Sequence, residues 1–139
     1  MEALGRSDPA QCEMTAGKPM QTKGKPHLEM IPVRLDDGWQ PMAGLPGIEF
    51  KPMVDNLDET ARTGTRTRLV RFAPGAFTSG QFSHTYWEEF FLLSGDFKDL
   101  ARDLHHQAHV YSCRPPGTLH GPFRSDGGCV IFEVQYYQA

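Results

Sequence analysis

The apolar residues of this chain come in short runs, and glycine or proline stops almost every one. "IEFKPMV" (48–54) follows "GLPG", and "TRTRLVRF" (65–72) is halted by "APGA". "EFFLLS" (89–94) runs into Gly95-Asp96, and "HVYSC" (109–113) into "RPPG". Runs of this length suit strands, and breaks at this spacing leave little room for packed helices. With 14 Gly and 11 Pro in 139 residues, the reading is one all-β domain, a sandwich or barrel.

The clearest strand is "CVIFEVQYY" (129–137). Val130, Phe132, Val134 and Tyr136 share one face there, and Glu133 and Gln135 the other. "EFFLLS" is apolar without alternation, as expected of a strand covered on both faces. Gly95-Asp96 reads as a hairpin turn. One piece, "FKDLARDLHHQ" (97–107), sets Phe97, Leu100 and Leu104 at helical spacing. It reads as a short helix or as a long hairpin loop. Residues 1–27 are polar and aperiodic and read as an N-terminal arm; residues 28–139 form the domain.

A net charge of −3 argues against nucleic acid as a partner, which would call for a basic surface. No apolar run approaches the ~20 residues of a membrane span, and the first residues contain no apolar core of a secretion signal. Cys12, Cys113 and Cys129 show no CxxC spacing, so a reduced cytoplasmic protein is expected, with Cys113 and Cys129 buried in strands.

The chemistry gathers in two segments. In "GQFSHTYWEEFFLLSG" (80–95), His84 precedes Glu88 by four residues. If the strand is unbroken, Phe82, His84, Tyr86 and Glu88 face one way and Glu89 the other. In "RPPGTLHGPF" (114–123), His120 follows a Pro-Gly turn that can aim a side chain inward.

These segments resemble the two signatures of cupins, G-x5-H-x-H-x3,4-E-x6-G and G-x5-P-x-G-x2-H-x3-N. His84, Glu88 and Gly95 match the first; Pro115, Gly117 and His120 match the second. The flanking "LPGIEFKPMV", "TRLVRFAPGA" and "CRPPGTLHGPF" are similar to the ChrR-like subgroup, named for a zinc-binding anti-sigma factor. The resemblance spans about residues 39–137 and implies a cupin-type β-barrel (a jelly roll, or double-stranded β-helix). It also departs from the pattern. Phe82 stands where the first histidine belongs, Ala76 and His109 replace glycines, and Arg124 replaces the closing asparagine.

What carries over is a metal set of His84, Glu88 and His120. Two imidazoles and a carboxylate form the facial triad of non-haem iron enzymes, and they also suit other metals. The implied cofactor is one divalent transition metal, Fe(II) or Zn first, then Mn or Ni. The other reading is a barrel without metal, in which Phe82 fills the gap while His84 and Glu88 only hydrogen-bond. Strand parity and the spacing to Gly95 favour Glu88 over Glu89 as the ligand.

Around this set, Tyr86 reads as a proton donor or as a core aromatic, and Arg68 as a clamp for a substrate carboxylate or as a solvated strand end. Phe82, Trp87 and Phe90 are candidate substrate contacts. Of His105, His106 and His109, either of the last two could act as an acid/base, and His109 is taken with Tyr86 as a catalytic candidate. The first functional expectation is an enzyme acting on a small carbonyl- or enol-containing molecule, aromatic or polyketide-like, with dioxygenase chemistry among its options. The alternatives are a metal-binding sensor and a metal-free cavity that isomerises, cyclises or only binds its ligand. A homodimer is expected, with the arm reaching across to the partner.

Overall fold

A computed structural model describes residues 25–138. Most of the expected arm, with Cys12, lies outside the described residues. Within them the chain forms eight strands and no helix, so the all-β expectation holds. The strands are β1 (Gln40–Pro41), β2 (Ile48–Asp55), β3 (Thr65–Phe72), β4 (Trp87–Asp99), β5 (Leu104–Gln107), β6 (Val110–Arg114), β7 (Phe123–Arg124) and β8 (Cys129–Tyr136). Every pairing is antiparallel, and β4 holds the assembly together. Its first half lies between β8 and β6 in the larger sheet, which continues β8-β3-β2-β1. Its second half pairs with β5 and β7 in a smaller sheet.

The change of sheet happens at Gly95, where the expected hairpin turn is absent. Gly95 has φ +82°, and a Cβ there would lie 2.0 Å from the Gly128 carbonyl oxygen. Only glycine tolerates both conditions, so Gly95 bends the strand rather than ending it. Asp96, the other residue of the expected turn, accepts hydrogen bonds from the Asp126 and Gly127 amides at 2.8 and 2.7 Å.

The chain reverses five residues later. Asp99 accepts hydrogen bonds from the Ala101 and Arg102 amides at 3.1 Å each, and β5 returns with Phe97 opposite His106. The helix reading of 97–107 is therefore wrong and the hairpin reading right. The spacing misled because Phe97 is buried while Leu100 and Leu104 are exposed at the turn.

The core lies between the two sheets. Ile48, Val70, Phe72, Phe90, Leu92 and Ile131 come from the larger sheet; Phe97 and Phe123 come from the smaller. The Phe97 ring meets Phe72, Phe90 and Phe123 at 5.5, 5.6 and 4.9 Å, a pattern that fixes the sheets against each other. On β8 the inward residues are Cys129, Ile131, Glu133 and Gln135, so its polar face turns toward the interior. Its more apolar face, carrying Phe132 and Val134, lies outside beside the exposed Phe91 and Tyr111. Cys129 is buried as expected; Cys113, on the outward side of β6, is exposed. Among the described residues, no helix is long and apolar enough to cross a membrane.

Candidate metal centre

The two histidine-bearing segments are tied together by their backbones. Phe82 and His120 exchange both amide–carbonyl hydrogen bonds at 3.0 Å, and the Gly117 amide donates to the His84 carbonyl at 2.8 Å. Gly117 sits at φ +80°, which lets the Pro-Pro-Gly turn present that amide. Strand β4 starts only at Trp87, so the expected unbroken strand from Phe82 is interrupted by a bend at 85–86. Even so, His84 and Glu88 both reach the interior, and Tyr86 tucks beneath His84 with the rings stacked at 4.6 Å.

Glu88 lies opposite Arg114 of β6 and opposite Gln135 of β8. Cross-strand neighbours share a face of the sheet, so all three side chains converge. The Arg114 Nη1 donates to Glu88 Oε1 at 3.0 Å, and Gln135 Nε2 donates to Glu88 Oε2 at 3.0 Å. His84 Nε2 is 3.3 Å from Oε2, and His120 Nε2 is 3.5 Å from Oε1. One potential ligand atom each from His84, Glu88 and His120 falls within a 4.8 Å span.

The donor chemistry fits a divalent metal. His120 Nδ1 lies 2.8 Å from the Thr118 carbonyl oxygen. A carbonyl only accepts, so Nδ1 carries the proton and the Nε2 lone pair points inward. That Nε2 is buried and, among the described residues, has no hydrogen-bond partner. An orphaned buried lone pair is rare unless something else fills it, and a backbone carbonyl on the other ring nitrogen is the usual orientation of a ligating histidine. Burial lowers the His120 pKa, which keeps the ring neutral. Burial alone would raise the Glu88 pKa, but hydrogen bonds from His84 and Gln135 outweigh it and hold the carboxyl at about 2.

The centre opens onto a cavity of about 390 Å³. Most of its wall is apolar, with Phe82, Phe90, Phe97 and Phe123 among the lining rings. Two further charges line it: Arg68 and Glu133, paired across β3 and β8. Burial raises the Glu133 pKa, against the pull of Arg68.

Of the residues expected at the site, Phe82, His84, Glu88, Phe90 and Arg68 line this cavity, and His120 is buried behind Phe82 with the ring centroids 4.4 Å apart. Arg68 is not a solvated strand end, since its side chain is only 16% exposed. The structure places the other three, Trp87, His109 and Tyr86, outside the cavity lining. Trp87 takes the outward parity of β4 and stacks on Tyr136 rather than facing the cavity. His109 stacks on the outward Phe91, away from the centre. Tyr86 backs His84 without lining the cavity, and burial together with the Glu88 charge raises its pKa. That placement matches the core-aromatic reading of Tyr86, a buried phenol packed behind His84.

The sequence reading missed Arg114, Gln135 and Glu133. The alternation of β8 does place Glu133 and Gln135 on one face, but nothing in the sequence says that this face turns inward. Arg114 carries no sequence signal beyond its place before the Pro-Pro-Gly turn.

A family model described as the ChrR Cupin-like domain matches residues 31–137. The chain belongs to the ChrR cupin-like family. No curated protein matches its sequence. Among solved structures it is similar to an acetylacetone dioxygenase from Acinetobacter johnsonii, at 13% identity and a TM-score of 0.62, covering 98% of this chain and 80% of that one. It is similar to Rhodobacter sphaeroides SigE in complex with the anti-sigma ChrR, at 19% identity and a TM-score of 0.55, covering 73% of this chain and 50% of that one. A Thermotoga maritima protein described as a predicted oxalate decarboxylase matches at 15% identity and a TM-score of 0.58, covering 78% of this chain and all of that one. Likeness at these identities shows the fold: this cupin has the jelly-roll barrel, with its candidate metal centre inside it.

Proposed function

We propose that this cupin is a metal-dependent enzyme acting on a small, mostly apolar molecule that carries a carbonyl or enol. The observation that carries the reading is the His120 Nε2 lone pair, buried without a partner and aimed at the Glu88–His84 pair beside an apolar cavity. Three protein ligands would leave coordination positions for substrate. When bound, the metal supplies a Lewis acid for a carbonyl or enolate oxygen or, as Fe(II), the means to activate oxygen.

The chain's own residues do the rest. Thr118 fixes the His120 tautomer, Gln135 and Arg114 orient Glu88, and the phenylalanine wall excludes water from an apolar substrate. Oxidative cleavage of a 1,3-dicarbonyl is the specific reaction we put forward. It is supported by the apolar cavity and by the fold shared with an acetylacetone dioxygenase.

The test starts with metal content. Protein purified without a His-tag is expected to hold near-stoichiometric metal that His120→Ala loses. Equal trace metal in both would overturn the reading. Oxygen consumption by the Fe(II)-loaded protein with acetylacetone and related diketones then tests the reaction; no uptake with any of them rejects dioxygenase activity.

A second reading, a metal-free ligand-binding or sensing cupin, is favoured by one observation. Arg114 and Gln135 already give each Glu88 oxygen a hydrogen-bond donor, so the carboxylate does not need a metal to be held in place. Trace metal in the wild type, together with saturable binding of a diketone in the cavity, would favour it.

A further inference from the structure

Glu88 is the hub of the centre, and one of the groups that hold it is a cation that is not an expected ligand. Arg114 is 9% exposed, and its guanidinium lies over the Phe90 and Phe123 rings at 4.8 and 5.3 Å. Those contacts fix the plane from which it donates to Glu88 Oε1. Oε1 is also the oxygen closest to His120 Nε2, at 3.5 Å. A metal held by His120 and Glu88 would therefore share the carboxylate with a guanidinium that already bonds it.

We propose that Arg114 is the resident counter-cation of this centre: it holds Glu88 in place when no metal is bound, and it sets metal affinity by competing for the carboxylate. The inference rests on the metal reading above and adds a regulator to it. A metal cation and a guanidinium drawn to one carboxylate would repel even at the high effective dielectric of a partly wet site, which would weaken binding on the order of tenfold or more. The same contact stabilises the metal-free barrel, because a buried carboxylate without a partner is costly. Arg114 thus lowers the metal affinity of the centre from what the three ligand candidates alone would give, and keeps the centre intact when empty. It is a positioning residue, not a ligand.

The experiment is isothermal titration of tag-free full-length protein with Zn²⁺ alone, on the wild type, His120→Ala, Arg114→Met and Arg114→Gln. Glutamine is included because it keeps a neutral donor for Glu88 and guards against failure to fold. Arg114→Met and Arg114→Gln are expected to bind zinc at least about tenfold more tightly than the wild type. Arg114→Met should also melt earlier without zinc and gain more on zinc addition. Folded Arg114 variants with zinc affinity equal to or weaker than the wild type would overturn the proposal. If that happens while His120→Ala still abolishes binding, the metal centre stands and only the role of Arg114 falls. If the wild type takes no zinc but Arg114→Gln does, Arg114 is confirmed as the competitor and the wild type is not a zinc protein. If neither takes zinc, both fall.

Discussion

Phe82 and His120 exchange two backbone hydrogen bonds at 3.0 Å, and their rings meet at 4.4 Å. The position that a four-ligand cupin gives to histidine is thus occupied by a ring packed against a candidate ligand. Replacing Phe82 with His should supply a fourth ligand on a backbone already in place. Metal affinity is expected to rise by at least about tenfold, since each added imidazole is a strong donor to a divalent ion. Titration with Zn²⁺ checks this, and unchanged affinity would mean that the 82 side chain does not reach the centre.

The metal-free protein should lose stability to acid in two stages. Both His120 and Glu88 have pKa values below their ordinary 6.5 and 4.5. A group whose pKa is lowered by folding stabilises the fold above its unfolded value and loses that contribution as pH falls. His120 should therefore act below pH 6.5, and Glu88 between 4.5 and about 2. Urea midpoints measured at pH 7, 5.5 and 3.5 should fall stepwise. His120→Ala should flatten the first step and Glu88→Gln the second; identical slopes in all three proteins would reject the assignment.

Arg68 and Glu133 form a pair with side chains 16% and 13% exposed. Arg68→Met leaves Glu133 buried without its cation, and should cost about 3 kcal/mol in chemical denaturation. Arg68→Met combined with Glu133→Leu should recover most of that loss. A double variant no more stable than the single one would show that the pair itself, and not the stranded carboxylate, matters.

Gly95→Ala should be among the most damaging single changes. It forces a side chain into positive φ and into contact with the Gly128 carbonyl. The expected loss exceeds about 3 kcal/mol, visible as a lowered melting temperature or as insoluble expression. A melting temperature within a few degrees of the wild type would show that β4 can bend without it.

We also predict a homodimer. Phe91, Leu93 and Tyr111, exposed at 37, 41 and 57%, sit together on the outside of β4 and β6, a surface that association would cover. Light scattering should return twice the chain mass, and Tyr111→Glu should lower it; a monomer at moderate concentration refutes the prediction.

Much of this architecture can be read from the sequence because turn formers are local. Strand β3 is stopped by Pro74-Gly75, and β6 by Pro115-Pro116-Gly117. His84, Glu88 and His120 are legible for a related reason, since their spacing is tied to Gly95 and Gly117. Register is not local. Arg114 reaches Glu88 because β6 pairs with β4 at that exact offset, and Gln135 because β8 does the same from the other side. No run of neighbouring residues encodes either offset. Trp87 fails for a similar reason: its aromatic character marks a packed residue without saying on which side of the strand it packs.

The order of synthesis adds a further constraint. Strand β8 comes last along the chain but lies between β3 and β4, and it carries Gln135 to Glu88. A nascent chain that has released β3, β4 and both histidines still lacks the strand that joins them. Domains dominated by such distant pairings fold slowly and late. The carboxylate would gain its full set of partners only once residue 135 has docked, so tight metal uptake should report a finished barrel and be absent from unfinished ones.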